Sequence, residues 1–416
     1  MRMSCRSTCL RYAINRLLSK TQAVAVIDCD LGQPEFTASG LLSLHIISSP
    51  VLSPPHLHLR RPELSFFLGD LSAKHMPQVL EACVGKLFAA YCRYRGVYSE
   101  TGDQGLSSST LEENVDSGGS GVEMGGYAAL DEDPNWRYPL PLLVNTDGWV
   151  RGMGAEVLRE VIRLVTPTHL LHITSEKNRQ SIPIISELCE RESRRAQTES
   201  NQDEEAADTS PTTTVFSLTP GRHSASRLAA QDMRDLRLVS YFLRDYLRLC
   251  QVSVTDDIYK GLCSVSIKNG AIVDPLGYIP HALATSMQIA CPLDQACLRV
   301  LGQAMPPRLL LAAFNAALVG ISFDNQPSGG QISTVRLRLP SQPREMPNDA
   351  LEETTDMGNK LLSLAFILDD RSPAPCVGLG IVADVDFTER CMHIIGTEFE
   401  LWGKLMVLLK TTCLLL

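Results

Sequence analysis

The sequence of 416 residues has no CxxC pair and no cysteine–histidine cluster at zinc spacing among its 13 cysteines. An odd number of thiols in a chain this long argues against a disulfide framework and for reduced, mostly buried cysteines. Aromatic residues are scarce at 6%, and tryptophan occurs only 3 times. Long apolar runs are missing too. Residues 309–323, the most apolar stretch, are interrupted by Asn315 and fall short of the roughly 20 residues a membrane helix needs. The apolar tail at 401–416 is broken by Lys404 and Lys410, so no membrane partner is expected. Positive charge is not in excess either, since the net charge is −9, which argues against a nucleic-acid binder until its location is considered. Residues 100–133 hold nine acidic residues and no lysine or arginine, and everything outside them carries 38 basic and 38 acidic residues. With 44% apolar and 20% charged residues, the chain has the material for packed cores. That excludes a largely disordered, collagen-like or disulfide-stapled protein, and the length suits two or three domains.

Residues 1–18 are rich in arginine and serine and free of acids, the composition of a mitochondrial transit peptide, but they have a better use described below. Residues 5–19 suit a helix, with Leu10, Ile14, Leu17 and Leu18 at helical spacing. The run Ala23-Val24-Ala25-Val26-Ile27 follows and ends in Asp28-Cys29-Asp30. A short run apolar on both faces predicts a buried parallel strand. Residues 66–68, 142–144 and 170–173 read as further strands, with helical patterns at 76–93 and 154–165. Strands alternating with helices predict an α/β domain with a parallel sheet. Two stretches, at about 99–135 and 190–222, have the Ser/Gly/Thr-rich, charged composition of disordered insertions. A helical segment then runs over 227–249, and period-two alternation at 335–339 and 377–385 points to strands. The expected organisation is an α/β domain over 1–249 and a smaller β-rich domain over 250–416.

The carboxyl end of the first apolar strand delivers Asp28-Cys29-Asp30-Leu31-Gly32-Gln33-Pro34. In open α/β sheets ligands sit beyond the carboxyl ends of strands. Two acids at i and i+2 there are costly unless they hold a cation or take a proton, although an Asp-capped turn produces the same letters. The preceding helix opens Cys5-Arg6-Ser7-Thr8. Against the phosphate-loop pattern G-x-x-x-x-G-K-[ST], Ser7 takes the hydroxyl position, Arg6 the lysine and Cys5 the second glycine. The first glycine would fall one residue before Met1, so this is no phosphate loop on its own letters. The chain is therefore expected to be truncated at its amino end, without the first strand and most of the loop. A third element, residues 141–152, ends a strand in Asn145-Thr146 and turns through Asp147-Gly148-Trp149 into a helix. Its tryptophan can stack on a base or simply cover the core.

Together, Asp28 to Gln33, the TxGW turn from Thr146 to Trp149 and the helix around residues 227–241 resemble the polynucleotide 5′-hydroxyl kinases. Residues 28–37, 68–72, 143–154 and 376–385 are similar to the nucleolar branch of that family, which serves ribosomal-RNA processing. The resemblance covers nearly all of the chain outside the two insertions and the last fifteen or so residues. It implies a P-loop kinase fold, here without its first strand and loop, followed by a smaller β-rich domain. It also implies transfer of the γ-phosphoryl group of ATP, with Mg²⁺, to 5′-hydroxyl ends of RNA, with DNA ends as a further option. Phosphoryl transfer asks protein mainly for in-line positioning and charge neutralisation.

Carried over by position, Asp30 is the base for the 5′-hydroxyl proton and Asp28 supports the magnesium site through water. Ser7, with Thr8 as second candidate, ligates Mg²⁺ and contacts the β-phosphate, and Arg6 stands where the family has lysine. Gln33 orients a metal-bound water or the substrate, and Thr146 and Trp149 form a clasp for the terminal nucleotides. Residues 226–237 resemble the lid, with Arg227 and Arg234 two turns apart on one helix face and Arg237 three further on. Arg6 is bulkier than lysine in a tight loop, and Cys5 replaces a glycine that lets backbone approach phosphate. The family's amino-terminal β domain is not seen either. Weak ATP binding or inactivity is therefore expected, and the second reading is a catalytically impaired scaffold subunit. The resemblance further implies an rRNA-processing endonuclease subunit and pre-60S particles as partners, and a nuclear, nucleolar location. A generic P-loop GTPase is disfavoured because no NKxD guanine motif is present.

Overall fold

The structure, a computed structural model, describes residues 5–100, 140–173, 185, 213–219, 229–252, 267–268, 271–272, 288–294, 296–302, 305–306, 309–322, 333–338, 361–370, 374–396 and 412–415. The first layer is helix α1 (Cys5–Leu18). It leads into β1 (Val24–Asp28), whose five residues are all buried. The chain then forms β2 (Leu41–Ile47), β3 (Leu64–Phe67), α2 (Pro77–Glu100), β4 (Leu142–Asn145) and α3 (Met153–Val165).

The period-two geometry of a strand divides β1 between two apolar layers. Ala25 and Ile27 pack with Val79, Leu80, Cys83 and Leu87 of α2 and with Val157 and Val161 of α3. Val24 and Val26 pack with Leu10 and Ile14 of α1 and with Phe36, Ile47 and Val51. Burying each such large aliphatic side chain contributes roughly 1.5–3 kcal/mol, so the strand is clamped from both sides. The same alternation puts Asp28 on the face covered by α1.

The four strands run in the order β3-β2-β1-β4. The α/β class is as expected, but the sheet is mixed. β1 pairs in parallel with β4 and antiparallel with β2, which pairs antiparallel with β3. β2 has no counterpart in the sequence reading. Its run Leu-Leu-Ser-Leu-His-Ile-Ile is apolar on one face and carries the mutually hydrogen-bonded Ser43 and His45 on the other, and it follows a turn residue, Gly40, whose φ of +88° suits glycine.

Beyond α3, β5 (His169–Ile173) and β6 (Thr214–Leu218) pair in parallel. Residues 214–218 fall inside the second expected insertion, and the structure corrects that extent: Thr-Val-Phe-Ser-Leu is a strand-forming run that finds a partner in β5. The remaining positions of both expected insertions, apart from the end of α2, Thr213 and Thr219, lie outside the described residues. Helix α4 (Ala230–Val252) follows.

After a short hairpin of β7 (Ile267–Lys268) and β8 (Ala271–Ile272), the carboxyl-terminal region is rich in strands. These are β9 (Gln288–Pro292), β10 (Ala296–Leu301), β11 (Leu318–Ser322), β12 (Ser333–Arg338), β13 (Leu361–Asp370), β14 (Gly378–Asp386), β15 (Cys391–Gly396) and β16 (Thr412–Leu415). They form a sheet of order β12-β13-β10-β16-β11-β14-β15-β9. One short helix, α5 (Leu310–Phe314), covers its core with Leu310, Leu311 and Phe314.

The two regions are stitched together along β3. Ser65 exchanges two hydrogen bonds with Cys376, one backbone and one from its hydroxyl, each 2.7 Å. Phe66 forms a bridge with Pro375. Gly320 of β11 lies so close to Phe67 that an added Cβ would sit 2.8 Å from its side chain. Tyr241 and Phe242 of α4 fill the space between, in one cluster with Leu41, Phe67, Cys376 and Leu379, and the Tyr241 hydroxyl accepts the Leu379 N–H at 2.9 Å. Tyr241→Phe should therefore strand a buried N–H and lower unfolding free energy by about 1–3 kcal/mol. Urea denaturation of the full chain measures this, and an unchanged midpoint would show that the contact holds nothing.

Candidate active site

Asp28 ends β1 and is fully buried. The parallel register that pairs it with Asn145 brings the Asn145 amide to its Oδ1 at 2.8 Å. The Asp30 N–H reaches the same oxygen at 3.1 Å, and the Glu35 N–H donates to Oδ2 at 2.6 Å. One carboxylate thus ties the end of a strand, its neighbour and the loop that follows. Its pKa is pushed up to about 7, first by burial and also by the negative charge of Asp30, while the hydrogen bonds from Glu35, Asn145 and Asp30 oppose the rise.

Asp30 is arranged differently. Its Oδ1 accepts the Gln33 N–H at 2.9 Å, folding the loop back, and its Oδ2 lies 3.7 Å from the Arg6 guanidinium. The Asp30 side chain keeps 13% of its surface exposed, so a group arriving from solvent can reach it. Cys29 sits between the two acids with its thiol buried and raised well above the ordinary range, first by burial and then by the Asp28 charge. It packs with the apolar core on the α2 and α3 side of the sheet and is no nucleophile.

Arg6, in the first turn of α1, donates to the Thr146 carbonyl at 2.6 Å. Gly148 lets that guanidinium approach, since an added Cβ would stand 3.1 Å from it. Asp147 accepts the Trp149 N–H at 3.0 Å. Its pKa is raised by burial and by Asp30, against the pull of that N–H and of Arg6. Trp149 is seated against the start of α3, where a Cβ on Gly154 would collide with its carbonyl and its ring. Glycine at 154 therefore fixes where the indole lies.

A second group lies behind Asp28. Glu35, fully buried, has Oε1 3.1 Å from Arg11 Nε and 3.0 Å from His58 Nε2. α4 packs on the turn Pro55–Leu57 beside it. Arg237 of α4 is only 2% exposed, and its Nε and one terminal nitrogen have no hydrogen-bond partner. Burial lowers its pKa, and the charges of Glu35, Asp28 and Asp30 pull it back up.

The structure therefore brings Arg6, Asp28, Asp30, the Gln33 backbone and Thr146 together. Ser7 is half-buried beside Arg6, whereas Thr8 is exposed. Trp149 is half-buried and Arg234 is half-buried on α4, while Arg227 lies outside the described residues. The sequence reading passed over Asn145, Asp147, Glu35, Arg11 and His58. Asn145 had a signal, as it ends the strand whose register matches Asp28. Glu35 and His58 had none, because only the fold joins them.

Magnesium takes hard oxygen ligands and keeps several waters. Asp30 and Asp147, within electrostatic reach of each other, and the half-buried Ser7 on α1 supply oxygens of that class. Asp28 has both oxygens engaged by N–H donors, which fits support through water better than direct ligation. The residues present fit the ion.

The raised Asp28 pKa carries a pH dependence with a definite sign. Folding disfavours the ionised form, so stability is highest below the unfolded value of 3.8 and falls as pH rises toward about 7. In metal-free buffer, the stability difference between Asp28→Asn and the parent chain should shift in favour of the variant from pH 5.5 to pH 8, on the order of 1–3 kcal/mol. Denaturant titrations at the two pH values measure it, and a difference independent of pH would mean that Asp28 is ionised throughout.

Comparison with known proteins bears on the family. Residues 2–102 and 133–193 match the family described as mRNA cleavage and polyadenylation factor CLP1 P-loop. The polynucleotide 5′-hydroxyl-kinase NOL9 of Arabidopsis thaliana is 28% identical over 341 residues, 80% of this chain and 74% of that protein. The polynucleotide 5′-hydroxyl-kinase grc3 of Schizosaccharomyces pombe is 29% identical over 42% of this chain, and NOL9 of Homo sapiens 31% over 42%. Those two matches cover 20% and 18% of the relatives' own lengths. The solved Clp1p–Pcf11p complex aligns with 98% of this chain and 71% of that chain at 13% identity and a TM-score of 0.46, a level from which nothing follows. In its sequence relatives the chain is similar to the polynucleotide 5′-hydroxyl kinases, and over residues 2–102 and 133–193 it is similar to the Clp1 P-loop family.

Proposed function

We propose that this chain is an ATP-dependent polynucleotide 5′-hydroxyl kinase acting on RNA ends, with DNA ends as alternative substrates. The observation that carries the reading is Asp30: a partly accessible carboxylate, braced by Gln33, beside Arg6 at the mouth of β1 and β4. Such a group accepts the proton of a 5′-hydroxyl as its oxygen bonds to the γ-phosphorus of ATP and ADP departs. Bound Mg²⁺ would supply neutralisation of phosphate charge. Ser7, Asp28 and water would hold it, with Thr8 second and Asp147 added by the fold. Thr146 and Trp149 would clasp the terminal nucleotides, since an aromatic stacks on any base for roughly 1–3 kcal/mol.

Arg237, whose buried Nε and one terminal nitrogen lack partners, faces Glu35, Asp28 and Asp30 from behind and would position the acids. Arg234 lies less than one turn before it, and Arg227 keeps its lid role as an expectation. In the cell, the reading places the chain in pre-ribosomal RNA processing, in the nucleolus, with an endonuclease subunit and pre-60S particles as partners. The names of the relatives and the resemblance of residues 28–37 support that setting.

A second reading, a catalytically impaired scaffold, draws on Arg6. Its guanidinium is committed to Thr146 and Asp30, where a lysine would leave a compact ammonium free for phosphate.

Transfer of labelled γ-phosphate to a 5′-hydroxyl RNA oligonucleotide decides between them. Under the kinase reading the chain is active, and Asp30→Asn lowers turnover by about 10²–10⁴-fold with an unchanged melting curve. Activity only after a glycine–lysine loop is grafted ahead of Ser7 would mean a sound site with a deficient loop. Silence in every version would leave the scaffold.

A further inference from the structure

The carboxyl-terminal sheet holds a cluster that the kinase chemistry does not use. β14 and β15 form an antiparallel hairpin in which Asp386 pairs with Cys391 and Asp384 with His393. At its turn, Asp386 Oδ1 accepts the N–H groups of Thr388 at 2.6 Å and Glu389 at 2.9 Å. Arg390 adopts a φ of +56°, and the chain enters β15. Cys391 and His393 alternate along β15, so the pleat turns both side chains to one side, and Glu389 reaches them from the turn. One ligand atom from each lies within 4.8 Å of the others, and Cys391 Sγ stands 3.4 Å from His393 Nε2.

We propose that Glu389, Cys391 and His393 form a binding site for Zn²⁺ or a similar thiophilic divalent ion, separate from the phosphoryl-transfer site. The donor set is sulfur, imidazole nitrogen and carboxylate oxygen. That mixture selects zinc-like ions and disfavours magnesium and calcium, which take oxygen. The spacing agrees: Zn–S and Zn–N bonds of about 2.3 and 2.0 Å at a tetrahedral angle put sulfur and nitrogen about 3.5 Å apart, against the 3.4 Å here. The carboxylate, on an exposed residue, has the freedom to close the remaining distance.

Burial is graded in the same direction. Cys391 is buried, His393 half-buried and Glu389 exposed, so an ion enters from solvent and meets the sulfur deepest. The charges of Asp384 and Asp386 act on the same thiol and add to the field that attracts a cation. Asp386 also accepts the backbone N–H of Glu389 and so fixes the turn that carries that residue. Three protein ligands leave a fourth position for water or for a donor from another molecule.

The sequence conceals this site. Cys-x-His lies outside the spacings of zinc fingers, yet on a strand the i and i+2 residues are neighbours on one face, and the glutamate two before them completes the set.

The test is titration of the chelator-treated full chain with Co²⁺ under reducing conditions. The expected result is one ion per chain with a thiolate-to-cobalt charge-transfer band, displaced by Zn²⁺. Cys391→Ser and His393→Ala should abolish the band. Cys291→Ser, a buried thiol on the neighbouring strand, should leave it unchanged. His393→Gln, at a half-buried position, serves should Cys391→Ser fail to fold. A folded parent chain without the band, or a band that survives in His393→Gln, would overturn the site.

Discussion

The buried carboxylate of Asp28 is the constraint on which the amino-terminal half is organised. An ionisable group at 0% exposure is costly to keep unless its oxygens are satisfied, and here three N–H donors meet them from three places in the chain. The Asn145 amide fixes the register of β4 against β1. The Glu35 amide fixes the return of the loop, and the Asp30 amide sets the turn that presents the next acid. The carboxylate that looks least accessible therefore positions the one that can meet a substrate. Placing the polar end of β1 between apolar layers makes that geometry rigid, because the strand is held by α1 on one face and by α2 and α3 on the other.

Charge is layered outward from this point. Behind Asp28 lie Glu35, Arg11 and His58, with Arg237 closing from α4. In front lie Asp30, Asp147 and Arg6. The rear group is mostly buried and brings α1, the loop before β3 and α4 side by side around Glu35. The front group is more open and carries more negative than positive charge, a balance that suits a divalent ion. α4 belongs to both stories. Arg237 faces the carboxylates, while Tyr241, four residues on, anchors the helix to Leu379 of the β-rich region. One helix thus faces both the carboxylates and the β-rich region.

Much of this was legible in the sequence, and the reason is specific. β1 declared itself because a strand clamped on both faces must be apolar throughout, and Asp28 and Asp30 stood out against that run. Trp149 and Thr146 stood out by rarity and by their place at a strand end. β2 escaped because Ser43 and His45 on one of its faces break the apolar run, and only the fold shows that both are buried and bonded to each other. β6 escaped because five strand-forming residues follow a charged, Thr-rich stretch whose composition dominates any window that contains them. The group around Glu35 escaped for a deeper reason: its members are scattered between Arg11 and Arg237, and each looks like an ordinary surface residue until the fold removes the water.

Arg6 shows where reading by motif and reading by geometry part. By motif it is a defective lysine. In the structure its guanidinium spans two acceptors at once, the Thr146 carbonyl and the Asp30 carboxylate, a task that suits a planar fork better than an ammonium. Those contacts join the first turn of α1 to the turn after β4, across the mouth of the site, and Gly148 is shaped to admit them. A residue tied in this way stabilises the arrangement of the acids while holding its charge away from a phosphate. The same side chain therefore organises the site and weakens its grip on a nucleotide, and which effect prevails depends on whether an incoming phosphate offers the guanidinium a stronger partner than a carbonyl and a carboxylate 3.7 Å away. A phosphate oxygen in a partly buried site does so by bidentate, charge-assisted hydrogen bonds, which is the physical ground for preferring the kinase to the scaffold.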